Sequence, residues 1–280
     1  MARTTSQTLE IRNGLIGSGG KLLTPSGNCA LWVFSEGSGV SSLIFVSDSS
    51  NHLVQVFDIH TGLNLRQIGT GEKGPGAGQL NNPRGLLIRQ ANPVSVWPTL
   101  LFVSEFFNHR VQIFDSHLGS HERFIGGKRR DGEPNESALN GPTGLALEES
   151  FPGSGRSALL YVADSWNSRI AVFDADTGDY LRDIGSGSVG SPWGLAVRNM
   201  PQNSQQTSTI YVLDISDGKV QVFDAASGKQ LGSIGGVVDS NIGEEKECNN
   251  GQVQLIEPTA VAVWEASPGS GQPSLLYVAD

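Results

Sequence analysis

The sequence predicts an all-β chain, a β-propeller of four-stranded antiparallel blades, and three observations carry that prediction. One frame recurs four times: LIFVSDSSNHLVQVFD at 43–58, LLFVSEFFNHRVQIFD at 100–115, LLYVADSWNSRIAVFD at 159–174 and TIYVLDISDGKVQVFD at 209–224. The acidic residue closing its first strand, Asp48, Glu105, Asp164, Asp214 and then Asp280, returns 57, 59, 50 and 66 residues later. Repeats of that length hold four strands rather than a pair of helices. Within each copy the residues alternate as in a strand: Val111, Ile113 and Asp115 share one face, Gln112 and Phe114 the other. Both faces are apolar, so each sheet is expected to be covered on both sides.

The strands of one blade, a to d from the centre outwards, follow in order. Strand a opens on a proline with a small residue two places on: Pro25/Gly27, Pro83/Gly85, Pro142/Gly144, Pro192/Gly194 and Pro258/Ala260. Proline begins a strand without losing a ladder bond, and the small residue lets innermost strands approach closely around an axis. Long Gly/Ser/Pro/Asn-rich loops such as EESFPGSGRSA lead to strand b. The b–c turn pairs an acid with a small polar residue three places on: Asp48 with Asn51, Glu105 with Asn108, Asp164 with Asn167, Asp214 with Asp217. These are read as structural turn residues whose side chains bond local backbone groups, not as catalytic groups. Strand c ends at Asp58, Asp115, Asp174 or Asp224, with a glycine four residues later that suits a tight c–d turn. Ile-Gly closes strand d ten residues after each aspartate, at 68–69, 125–126, 184–185 and 234–235.

The frame YVADxxNxRIxVFD, followed by IG and then PxGLAV, resembles the NHL repeat. The resemblance covers nearly the whole chain, with four close copies. It implies a propeller, commonly of six blades, used as a binding platform in ubiquitin ligases of the tripartite-motif type, in some RNA regulators and in an amidating lyase. A fold family does not choose among these roles. The expected organisation is one domain over 1–280, with blade 1 at 25–69, blade 2 at 83–126, blade 3 at 142–185 and blade 4 at 192–235. A partial blade 5 occupies 258–280, and TLEIRNGLIG at 8–17 is a candidate ring-closing outer strand. Because LLYVAD at 275–280 repeats LLYVAD at 159–164 and then stops, the chain is expected to be a fragment of a larger ring, of six blades as the resemblance implies, or of five.

Composition narrows the function classes. With 19 basic and 28 acidic residues the net charge is −9, which gives no general attraction for nucleic-acid backbones. No apolar run is long enough to cross a bilayer, and the N-terminal residues lack a signal-peptide core. The two cysteines, Cys29 and Cys248, share no metal-ligand spacing and are expected to be reduced thiols of a cytoplasmic protein. GTGEKG at 69–74 matches a dinucleotide motif, but Pro75-Gly76 follows where a helix would start, so no dinucleotide is expected.

Loop topology puts the a–b loops on one face of the disc and the b–c turns and d–a connections on the other. The second face gathers Phe106, Phe107 and His109 of blade 2, Trp166 of blade 3 and the basic cluster Lys128, Arg129 and Arg130. These seven are the candidate partner-binding residues. A protein partner is the expectation; the alternative is a metal-dependent propeller enzyme of amidating-lyase or lactonase type, and the second alternative is single-stranded RNA binding, since cations and aromatics together suit it. No catalytic residue and no cofactor are expected. The resemblance to the lyase raises a zinc at the axis, yet of the turn positions only His52 and His109 are histidines, with Ser168 and Gly218 in their place elsewhere. Two such ligands do not make a competent zinc site.

Overall fold

Four sheets of four antiparallel strands follow one another along the chain, and a two-stranded sheet follows them. The computed structural model describes the backbone of residues 25–32, and residues 42–90, 99–127, 136–150, 155–200, 207–235, 255, 258–264 and 274–280 in full. The first sheet holds β1 (Pro25–Trp32), β2 (Leu43–Asp48), β3 (Leu53–Asp58) and β4 (Asn64–Ile68). The second holds β5 (Pro83–Arg89), β6 (Leu100–Glu105), β7 (Arg110–Asp115) and β8 (His121–Gly126). The third holds β9 (Pro142–Glu148), β10 (Leu159–Asp164), β11 (Arg169–Asp174) and β12 (Tyr180–Ile184). The fourth holds β13 (Pro192–Arg198), β14 (Thr209–Asp214), β15 (Lys219–Asp224) and β16 (Gln230–Gly235). Last come β17 (Ala260–Trp264) and β18 (Leu275–Ala279).

Sheet order equals chain order within every sheet, so each is a meander with strand a at one edge and strand d at the other. The c–d turns are built as their sequence predicts. Asp58 Oδ1 accepts the N–H of His60 and Thr61, and Gly62, at φ 69°, donates its N–H to the Asp58 carbonyl. The same arrangement recurs at Asp115/Gly119 and Asp174/Gly178.

The core lies between the sheets. Val111 and Ile113 of β7 pack with Phe173 and Val162 of the third sheet, whereas Phe114 of the same strand packs with Phe45 and Val56 of the first. One strand therefore feeds two interfaces, and each fully buried Phe contributes about 1.5–3 kcal/mol. The glycine of strand a has the use its sequence implies: a Cβ on Gly85 would lie 2.1 Å from the Thr143 carbonyl oxygen, and one on Gly144 2.5 Å from that of Trp193. Successive innermost strands touch backbone to backbone there.

An arginine on strand d fastens each of the first three sheets to the next. Arg123 Nη2 donates to the Ala175 carbonyl at 2.7 Å and Arg182 Nη2 to that of Ala225 at 2.6 Å, with Arg66 and the Ser116 carbonyl paired likewise. In the fourth sheet the equivalent position is Gly232, and β16 is largely exposed. Ile234 is 45% exposed, whereas its counterparts Ile68, Ile125 and Ile184 are buried.

Candidate functional site

The acid that ends strand b is where the b–c turn is anchored, and its partners differ from the local backbone groups the sequence implies. Glu105 Oε1 accepts from Asn108 Nδ2 at 2.5 Å and from the backbone N–H of Asn81 at 3.0 Å. Asp164 likewise accepts from Asn167 Nδ2 at 2.8 Å and from the Asn140 N–H at 2.6 Å. Asn81 and Asn140 belong to the connection arriving from the preceding sheet, so the acid fixes the blade-to-blade crossing as well as its own turn. Asp48 follows with Asn51 Nδ2 at 2.8 Å and Gln55 Nε2 at 2.7 Å.

Asp217 breaks the series, because a carboxylate cannot donate to Asp214. It pairs instead with Lys219 Nζ at 2.6 Å, and Ser216 Oγ takes over the bond to Asp214 at 2.7 Å.

The fourth turn residue takes a left-handed backbone in all four turns, His52 and His109 at φ 56°, Ser168 at φ 53° and Gly218 at φ 57°. In the first three its side chain reaches the next connection: His52 Nδ1 accepts the Asn82 N–H at 3.2 Å, His109 Nδ1 accepts the Gly141 N–H at 3.1 Å, and Ser168 Oγ donates to the Gly190 carbonyl at 2.6 Å. The histidines therefore act as hydrogen-bond acceptors in these turns. Burial first, and the nearby Lys73 charge second, lower the His52 pKa. Among the described residues no group of three His, Cys, Asp or Glu side chains could hold a metal ion.

On this frame stands an aromatic cluster drawn from three sheets. Phe106 and Trp166 meet edge to face at 4.7 Å, Phe106 and Phe107 at 5.2 Å, and the His109 ring lies 5.9 Å from Trp166. Phe107 and Trp166 are 51% and 53% exposed. Phe106 is corrected from a contact residue to the floor of the cluster, at 8% exposure. It occupies the first turn position, filled in the first and third sheets by Ser49 and Ser165, whose hydroxyls donate inward to the Pro83 and Pro192 carbonyls. That position points under the next strand a. Lys128, Arg129 and Arg130 lie outside the described residues, as does the segment 8–17.

Two members are absent from the sequence prediction. Arg84, on β5, places its guanidinium carbon 5.3 Å from the Phe106 ring centre and 5.1 Å from that of Trp193, on β13. Arg84 Nε donates to Asn82 Oδ1 at 2.8 Å, and burial lowers the guanidinium pKa. Both residues are the middle residue of a Pro-x-Gly opening. The signal was present: Ser26, Arg84, Thr143, Trp193 and Thr259 vary inside a fixed frame at the innermost strand.

No family model matches the chain. It is similar to NHL repeat-containing protein 2 of Bos taurus, 29% identical over 168 residues, and to the proteins of that name from Homo sapiens and Gallus gallus, each 28% identical. Each match covers 51% of this chain and 21% of the relative's own length. Among solved structures, similarity extends to U3-55K (16% identity, 74% of this chain and 57% of that one, TM-score 0.48). A nidogen/laminin complex is similar too (17% identity, 68% and 58% coverage, TM-score 0.45). In its repeat frame and its successive four-stranded sheets, the chain is similar to NHL-repeat β-propeller proteins.

Proposed function

We propose that this chain is a non-catalytic platform that binds a protein partner on the face of the b–c turns. The observation that carries this reading is the pairing of Phe107 and Trp166, both about half exposed, over a buried Phe106. Scattered surface aromatics are ordinary, but adjoining rings on a rigid support have the character of an interaction hot spot. The support is rigid because the turns are bonded to the preceding and following connections by Glu105, His109 and Asp164. The finer reading, the substrate-recognition end of a ubiquitin ligase of tripartite-motif type, rests on the resemblance of the repeats alone.

The test is affinity capture from a native lysate with the intact chain and with a Phe107→Ala/Trp166→Ala variant. Proteins retained by the intact chain should be lost from the variant while its circular dichroism stays unchanged. A retained set identical for both would overturn the reading.

A further inference from the structure

Phe106, the ring beneath the exposed pair, lies against a cation with unspent hydrogen-bonding capacity. Arg84 engages only its Nε, on Asn82 Oδ1; among the described residues neither Nη atom has a hydrogen-bond or ion-pair partner. The guanidinium is nevertheless held in place. Asn82 is fixed by its own N–H bond to His52 Nδ1, and the guanidinium lies against the rings of both Phe106 and Trp193. Guanidinium groups so ordered lose little further freedom on binding, and their remaining two nitrogens match one carboxylate in a forked pair.

We propose that Arg84 is the anchor for a carboxylate in an acidic peptide segment of the protein partner, with a neighbouring apolar side chain of that segment seated on Trp166 and Phe107. This rests on the platform reading above and names the chemistry of its ligand. Charge complementarity favours a peptide over a nucleic acid. Among the described residues Arg84 is the one cation stacked on the rings of this cluster, on Phe106 and Trp193, the other stacked arginines, Arg110 and Arg169, lying on Phe124 and Tyr180. A single forked site suits a single carboxylate, whereas a phosphate backbone requires several cations and this chain carries a net charge of −9.

The experiment uses fluorescein-labelled peptides of one scaffold with Glu-Phe, Gln-Phe or Glu-Ser at the centre, and a single-stranded uridine oligonucleotide, titrated by anisotropy with the whole chain. The Glu-Phe peptide should bind best, and either central change should weaken it about tenfold or more. Arg84→Gln should weaken the Glu-Phe peptide by a similar factor and leave the Gln-Phe peptide unchanged, the coupling expected of a direct contact. Arg84→Lys, which keeps the charge without the fork, should fall between. The comparison of peptides on the unaltered chain requires no variant to fold.

Equal binding of Glu-Phe and Gln-Phe peptides, with loss in Trp166→Ala, would overturn the carboxylate anchor and keep the platform. Peptide binding unaffected by Trp166→Ala would overturn the platform as well. The inference also fails if none of the peptides binds, or if the oligonucleotide binds more tightly than all of them with steep salt dependence.

Discussion

The second and third sheets solve one problem differently from the fourth. In all three a buried acid closes strand b and receives the incoming connection. In the second and third, an arginine five residues on pairs with it: Arg110 Nε with Glu105 at 2.5 Å and Arg169 Nε with Asp164 at 2.7 Å. The fourth has Lys219 there, and Asp214 relies on N–H and O–H donors, from Gly190 and Ser191 at 2.8 and 2.9 Å, Ser216, and Gln221 at 2.7 Å. The connections explain the choice. The short one before the fourth sheet brings its own N–H groups to the acid, while the longer ones also bring carbonyls that need donors. Arg110 serves Pro75, Gly76 and Gln79, and Arg169 serves Glu136 and Ala138.

The electrostatic result has opposite signs. Burial pushes the Glu105 and Asp164 carboxyls up, and their arginines only partly offset it. Burial also pushes Asp214 up, but the Ser191 and Gly190 N–H groups, Ser216 and Gln221 together outweigh it and hold it below the ordinary value. An arginine in this position is therefore foremost a donor to connection carbonyls.

The sharpest way to break this comparison is to remove the arginine. Arg110→Ala or Arg169→Ala removes the charged partner of a buried carboxylate and the donor to at least one connection carbonyl, and should cost about 3–5 kcal/mol in urea unfolding. Lys219→Ala, at a partly exposed pair with Asp217, should cost under about 1 kcal/mol. Equal losses would remove the distinction between the sheets.

The arginines of strand d come next in size. Arg123→Met and Arg182→Met should each cost about 1.5–3 kcal/mol in the same assay, the range for a charged donor on a carbonyl. Gly232→Arg, where no such donor exists, should give no comparable change in stability.

Titration sharpens the comparison by sign. A carboxyl held low contributes stability that is complete above its unfolded value of about 3.9 and is lost as pH falls through it and below. Asp214→Asn should therefore flatten the acid limb of a melting-temperature series. Asp164 and Glu105, held high, make folding less favourable as pH rises from about 4 through their folded values. Asp164→Asn should remove a slope of that opposite sign. Slopes of one sign in both variants would contradict the assignment.

The smallest effect belongs to the exposed rings. Phe107→Ala should change stability by about 0.5 kcal/mol or less, as for most exposed positions, while still altering peptide binding.

Much of the fold was legible because its signals are local. Turn chemistry placed the Asp58/Gly62 class of hairpin, and period-two alternation with apolar residues on both faces located strands such as β7 between two neighbours. Phe107, His109 and Trp166 were legible as members of one face. Phe106 was misread because adjacent aromatics in a turn look alike in sequence, and only the strand packed above decides which ring is covered. Asp217, read as a turn residue bonding local backbone groups, pairs instead with the Lys219 ammonium, because a carboxylate cannot donate to Asp214 as the asparagines do to their acids.

By itself the sequence determined the repeat, the strand order within a sheet, the turns and the two-sided burial, all properties of residues a few places apart. The tertiary structure alone decided which residues of different sheets meet: Arg84, Trp166 and Trp193 in one cluster, Asn81 and Asn140 on acids of the following strand b, and Arg123 on the Ala175 carbonyl. The reason is physical. Contacts between sheets depend on how closely the innermost strands approach around the axis, with Gly85 against Thr143 and Gly144 against Trp193, and no local period encodes that distance.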